Sequence, residues 1–434
     1  MIKMSFNKRK SKELFEEAKK FLPGGVTYAL RYFEPYPFYV VKAKGSKIWD
    51  VDGNEYIDFW MGHGAIITGH MYEPIINALK EQLEYGFHFG WCNEWEIKWA
   101  KAVCEWFSAD MVRPTNSGTE ANMYAIRLAR AYTGKNKIGK FEGGWHGGYD
   151  ALHKSVNYPY DKPASLGLTE DSIKNTIILP YNDLKGVYQK VKREELACII
   201  VEPVMGAAGI IPAEKEFLKG LRELCDEKNA LLIFDEVITG FRFFKGAQHF
   251  YNVKPDLTTL GKAVGGQYFP GAGAFCGKTE IMEKIDQIKN PNFWNRVFHG
   301  GTYTGNALTM RMGYELIMEL KKMGEDFYKR IDNLGEKIKK ELNEVFEEKN
   351  LKAYVTGLNS FFAIHFTSEK PINALIIEKT KDRDLAKKLF EFMINNGVAY
   401  LTPLTPHFFL SSAHTNEDKE KFLSLIEEFT KKLA

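Results

Sequence analysis

From residue 111 to residue 276, short continuous apolar runs alternate with helical stretches, and no other feature of the chain narrows its fold as far. Strand-like runs lie at 111–115, 137–141, 176–179, 197–201, 230–234 and 272–276. Helical segments over 119–131, 183–193 and 214–228 separate several of them. The run Ala230-Leu231-Leu232-Ile233-Phe234 has no polar face, which suits a strand covered on both sides. Such strands spaced by helices predict a mainly parallel sheet in an α/β fold.

The flanks read differently. Leu14, Phe15, Ala18, Phe21 and Leu22 share one face of a short helix over 11–22, which Pro23-Gly24-Gly25 stops. Residues 38–41, 46–51 and 55–59 look like strands, with a hairpin turn at Asp52-Gly53. Helices are expected at 73–84 and 94–107. Beyond the alternating region a long helix over 305–322 leads out. The tail adds helices at 325–348, 382–397 and 416–432, and strand pieces at 359–366 and 408–411. Thr415 with Asp418 forms a capping pair for the last helix. A chain of 434 residues exceeds what one core holds, about 250–300 residues. The expected division is a large domain over 71–324 and a small α+β domain built from both termini, 1–70 and 325–434.

A net charge of +3 without a polybasic stripe gives no reason to expect nucleic acid. Cys92, Cys104, Cys198, Cys225 and Cys276 stand alone, an odd set that argues against a disulfide framework or zinc ribbon and for a reducing compartment. A polar, basic stretch follows Met1 with no apolar signal region, and Glu202 and Asp235 interrupt the longest apolar stretches. The expectation is a cytoplasmic protein that contacts no membrane.

Open α/β sheets bind ligands at the carboxyl ends of their strands. Polar groups follow the apolar runs here: Asn116-Ser117-Gly118-Thr119-Glu120, Trp145-His146-Gly147, Glu202-Pro203, Asp235-Glu236 and Lys262 after Leu260. Ser117-Gly118-Thr119 opens a helix, where amide groups and the helix dipole attract phosphate; a plain helix cap has the same pattern. Asp235 closes a buried strand and needs a cation or several donors. A protonated pyridine nitrogen would serve, and so would a structural salt bridge or a metal. Lys262 sits among glycines that allow close backbone approach. In a dry pocket it would act as nucleophile or base, whereas most lysines are solvated. Trp145 suits ring stacking or a core, and Arg31 suits a carboxylate clamp or plain solvent. Walker, dinucleotide, HExxH and GxSxG signatures are absent, and no metal site is expected.

Taken together, these stretches resemble the class III aminotransferases of PLP fold type I, most nearly the glutamate-1-semialdehyde aminomutases and their aminotransferase relatives. The matching residues run over nearly the whole chain: Pro23 to Val26, Ile48 to Asp58, Asn116 to Ala121, Lys140 to Gly143 with His146-Gly147, Leu231 to Arg242, Pro255 to Lys262, Gly301-Thr302 and Gly305-Asn306.

The resemblance implies a large domain with a seven-stranded sheet between helices and pyridoxal 5'-phosphate held by Lys262 as a Schiff base. It implies that Asp235 pairs with the ring nitrogen, that Trp145 and Val237 cover the two ring faces, and that Ser117, Gly118 and Thr119 hold the phosphate. His146 and Glu202 stand beside the cofactor. Thr302 reaches the partner subunit's phosphate, which implies a homodimer with shared sites. Arg31 matches the position that holds a substrate carboxylate, with Trp60 and His63 beside it. Departures occur at His63 where a tryptophan is usual, at Ala207, at Tyr158 to Asp161 and around Pro406. Trp60, Phe87, His88, Trp91 and Trp145 suit a pocket for a bulky amino acid or else fill core and interface. The expected activity is therefore amino-group transfer from a β-, ω- or aromatic amino acid. Intramolecular transfer by the aminomutase and amino-acid racemisation are the alternatives.

Overall fold

A computed structural model describes residues 8–433, so most of the basic stretch after Met1 lies outside the described residues. The chain divides into two units. One runs to Tyr72 and adds Lys329–Pro371 and the residues from Lys379 onward. The other is Glu73–Tyr328 with Ile372–Glu378.

The Glu73–Tyr328 unit is built on a seven-stranded sheet. Its strands lie in the order Met111–Thr115, Gly273–Gly277, Leu257–Gly261, Leu231–Asp235, Leu196–Val201, Lys137–Phe141, Thr176–Leu179. Gly273–Gly277 runs antiparallel to both neighbours, and every other pairing is parallel. Both faces are covered, so all residues of Leu196–Val201, Leu231–Asp235 and Leu257–Gly261 are buried, as the apolar runs at 197–201 and 230–234 predicted for the first two. The helix Gly118–Thr133 packs Ala125, Ile126, Leu128 and Ala129 onto a core that includes Ile138, Cys198, Ile200 and Ile233.

One central strand, Leu257–Gly261, is absent from the sequence reading. Thr258 and Thr259 break its apolar run, yet both are buried. Their hydroxyls are satisfied inside: Thr259 donates to Asn122 Oδ1 at 2.6 Å and Thr258 to Gln248 Oε1 at 3.0 Å. A buried hydroxyl with a partner costs little, so the strand forms without the expected pattern. The two helices expected at 305–322 and 325–348 form one element, Ala307–Glu348, broken at Gly324 with φ 61.

The other unit carries two small sheets. Val40–Lys44, Lys47–Asp50 and Glu55–Asp58 form an antiparallel meander, and Val398–Ala399 adds in parallel to its edge. Ala353–Leu358, Phe361–Phe366 and His407–Phe409 form the second sheet. Ala353–Leu358 also escaped the sequence reading, because its residues are only half-buried and show no apolar run. The first helix is shorter than expected. It ends at Ala18, Phe15 alone of the predicted apolar face is deeply buried, and Leu14 and Phe21 are exposed. The last helix, Asn416–Lys431, carries the expected Thr415–Asp418 capping box. Among the described residues, no helix is long and apolar enough to cross a membrane.

Candidate active site

Sheet register brings the polar strand ends of the Glu73–Tyr328 unit together. Asp235 closes its strand opposite Thr259, three residues before Lys262. Gly261 pairs with Gly273, which in turn pairs with Thr115, just before Ser117. The approach is close. A methyl group on Gly261 would stand 2.9 Å from a Val237 methyl and 3.4 Å from Gly118 Cα, and one on Gly118 would stand 2.8 Å from Val237. Only glycine fits at either position, so the helix N-terminus, Val237 and the segment leading to Lys262 meet at one sheet edge.

Asp235 is buried and over-determined. Its Oδ2 accepts from Asn122 Nδ2 at 2.8 Å and bonds His146 Nδ1 at 2.7 Å, while Oδ1 accepts the Val237 amide at 3.0 Å. Oδ1 keeps a lone pair for one further cationic donor. Lys262 adopts φ 54, a left-handed conformation that costs about 1–2 kcal/mol in a residue with a side chain. Burial pushes its amine below the ordinary lysine value, against the opposing pull of the Asp235 and Glu202 carboxylates. Glu202 is raised by burial, and its two oxygens accept the Trp145 amide at 2.9 Å and the Gly206 amide at 2.8 Å.

Ser117 caps the sixteen-residue helix Gly118–Thr133 through its hydroxyl, which accepts from the Glu120 amide at 3.2 Å. The first-turn amides have no carbonyl of their own helix to bond, and the helix dipole favours an anion there. Thr119 lies against the His146-Gly147 turn. A Cβ on Gly147, whose φ is 84, would stand 2.1 Å from Thr119 Oγ1. Trp145 is 38% exposed, with its ring edge-on to His153 at 5.5 Å. Asn116 Oδ1, Thr304 Oγ1 and His146 Nε2 are buried without a protein partner. Asn116 and Thr304 both flank Gly301, next to exposed Thr302. A flat heterocycle with a phosphate at one end and a basic ring nitrogen at the other fits this donor set. The helix N-terminus would hold the phosphate and Oδ1 of Asp235 the nitrogen, with Trp145, Val237 and Lys262 as the remaining candidates to contact the ring.

Arg31, Trp60 and His63 lie in the other unit. Arg31 is exposed and donates to Thr27 Oγ1 at 2.7 Å. The His63 ring stacks on Tyr28 at 5.8 Å and meets Trp60 edge-on at 4.8 Å. His63 belongs to a run of left-handed residues, Met61 to Gly64, with φ from 45 to 74. Gly64 is required in that run, because a Cβ there would come within 2.7 Å of the Phe409 ring. Trp60 Nε1 is buried with no acceptor. Phe87 and Trp91, 54% and 84% exposed, fill no core in their own unit. His88 rests on Tyr303 at 4.8 Å.

Sequence reasoning missed Asn122, which ties Asp235, the His146 carbonyl at 3.1 Å and the Thr259 hydroxyl together. The available signal was an asparagine on the buried face of a helix one turn past the Ser117 cap, where an unpaired amide is costly.

Residues 28–422 match the family description "Aminotransferase class-III". The chain is 43% identical over 428 residues to a glutamate-1-semialdehyde 2,1-aminomutase of Caldicellulosiruptor saccharolyticus, covering 97% of this chain and 98% of that one. To the enzyme of the same name from Methanocaldococcus jannaschii it is 42% identical over 432 residues, covering 98% and 99%. Its fold superposes on the crystal structure of an omega-transaminase from Sphaerobacter thermophilus with TM-score 0.89 and 33% identity, covering 97% of each chain.

Proposed function

The chain belongs to the class III aminotransferase family, a family of pyridoxal-phosphate enzymes, and on that premise we propose that it moves an amine between neighbouring carbons of glutamate-1-semialdehyde. The relatives that carry this name match it nearly end to end. The observation that carries the chemistry is the meeting of Lys262, buried Asp235 and the Ser117–Thr119 helix start at one sheet edge. When bound, the cofactor supplies an electron sink for charge released at the substrate carbon.

The protein's own groups do the rest. Burial of the Lys262 amine lowers its proton affinity. A larger share is therefore unprotonated near neutral pH, ready to bond a carbonyl carbon and later to take and return a proton. Asp235, held by Asn122, His146 and the Val237 amide, presents Oδ1 to the ring nitrogen. Ser117, Gly118 and Thr119 hold the phosphate, while Trp145 and Val237 confine the ring. His146 orients Asp235, and Glu202 stands behind Trp145. Arg31 receives the substrate carboxylate, with Trp60 and His63 beside it. Thr302, exposed next to two orphaned polar atoms, completes the phosphate site of a second copy, so the working form is a homodimer.

The ring cluster Tyr28–His63–Trp60 favours a second reading, transfer between two different molecules with a bulky or aromatic amino acid as donor. Incubation with glutamate-1-semialdehyde and no acceptor separates the two. Formation of 5-aminolevulinate is expected. No conversion, together with turnover of β- or aromatic amino acids once a keto acid is added, would move the assignment to the second reading.

A further inference from the structure

We infer that Lys140 is a positioning residue which, with Glu202, grips the Gly144–Trp145 peptide by both ends and so sets the ring of Trp145. This rests on the reading that Trp145 covers one face of the cofactor. Lys140 ends no helix and meets no solvent: it lies on the strand Lys137–Phe141 and is fully buried. A buried amine is costly unless its N–H groups are used. Here Nζ donates to the Gly144 carbonyl at 3.0 Å and to the Lys154 carbonyl at 2.6 Å. Glu202 accepts from the Trp145 amide at 2.9 Å.

The Gly144 carbonyl and the Trp145 N–H belong to one planar peptide unit. The amine sits at the negative end of its dipole and the carboxylate at the positive end, so both charges favour the same orientation. Turning that peptide over would break both bonds at once. The turn itself has no slack. Gly143 has φ 76, and a Cβ on Gly144 would stand 3.1 Å from the Phe141 carbonyl. The second bond of Lys140 braces the residue after His153, whose ring abuts Trp145. One amine thus supports the aromatic plate from its backbone and from its neighbour. Burial pushes this amine down to about 7, with Glu202 pulling the other way. Neutral or charged, it has N–H groups enough for two carbonyls.

The test uses the full chain titrated with pyridoxal phosphate, following the visible cofactor band and its induced circular dichroism. Lys140→Met should weaken cofactor retention about tenfold and reduce the dichroism, but cost under about twofold more in a Trp145→Ala background, because coupled residues are non-additive. An equal loss in both backgrounds, or none in either, overturns the inference. Hydrogen exchange on the unsubstituted apoprotein is the second measurement, and it serves if Lys140→Met does not fold or if the protein takes up no cofactor. The Trp145 amide should exchange as slowly as the sheet amides. Exchange at an exposed-loop rate overturns the grip. Failure of the unsubstituted protein to bind pyridoxal phosphate counts against the functional reading alone.

Discussion

The two units hold their candidate site residues in opposite ways. In Glu73–Tyr328, the buried site groups are held by their surroundings: Asp235 by three bonds, Glu202 by two backbone amides, Thr119 by a glycine turn that admits no side chain. In the other unit, Arg31 is exposed and donates to Thr27, while the His63 ring packs between the rings of Tyr28 and Trp60. Buried charges tolerate few arrangements, because each must be satisfied. Exposed and aromatic groups tolerate many. On the proposed reading, the wired region would carry the reaction chemistry. The chain departs from the aminomutase pattern in both units, at His63 and around Pro406 in one and at Ala207 and Tyr158 to Asp161 in the other.

The contrast can be broken by single substitutions. Lys262→Ala should abolish the visible cofactor band and lower turnover on the order of 10²–10⁴-fold while the far-ultraviolet spectrum stays native. An unchanged band would remove Lys262 from the site. Asp235→Ala should cost about 1–3 kcal/mol of stability, by stranding Asn122 and His146, as well as most of the activity. A thermal melt matching the unsubstituted protein would show that the three bonds do not brace the acid. Arg31→Ala should act on one side only. Loss of a charged hydrogen bond, about 1.5–3 kcal/mol, raises KM for carboxylate substrates by tens of fold and leaves simple amines and the cofactor band alone. Equal effects on both substrate classes would place Arg31 outside the site.

The same contrast governs what could be read from the sequence. Six of the seven large-sheet strands announced themselves as apolar runs, because a sheet covered on both faces needs no polar residue. The seventh, Leu257–Gly261, did not, because Thr258 and Thr259 are satisfied by side chains on other elements, Gln248 and Asn122. Lys262 was legible from its place after Leu260 and the glycines around it, and the resemblance supplied its role. The roles of Asn122 and of Lys140, which the resemblance covers without assigning it one, were hidden for the same reason: their value lies in contacts made only after folding. The substrate question was less legible still. The residues put intermolecular transfer first, whereas the full-length relatives favour the aminomutase. Substrate choice rests on individual side chains rather than on a repeating pattern, so no periodicity encodes it.

The smallest predicted effect is a gain. Lys262 binds its proton less tightly in the folded apoprotein than its ordinary value of 10.5. As pH falls below 10.5, the unfolded chain takes up a proton that the folded chain resists, so this group subtracts stability from there down through its lowered folded value. Its left-handed backbone adds a strain that a substitution retains. Replacing the amine with an apolar chain of similar length, Lys262→Met, removes the proton linkage alone. The apoprotein should then melt higher at neutral pH by a degree or two, ~1 kcal/mol, and the gap should close near and above the ordinary lysine value. A variant that melts lower at neutral pH, or a gap that widens with alkalinity, would mean that the amine is stabilised rather than held at a cost for chemistry. The difference drawn between the wired and the loose region would then lose its energetic basis at the residue on which it most depends.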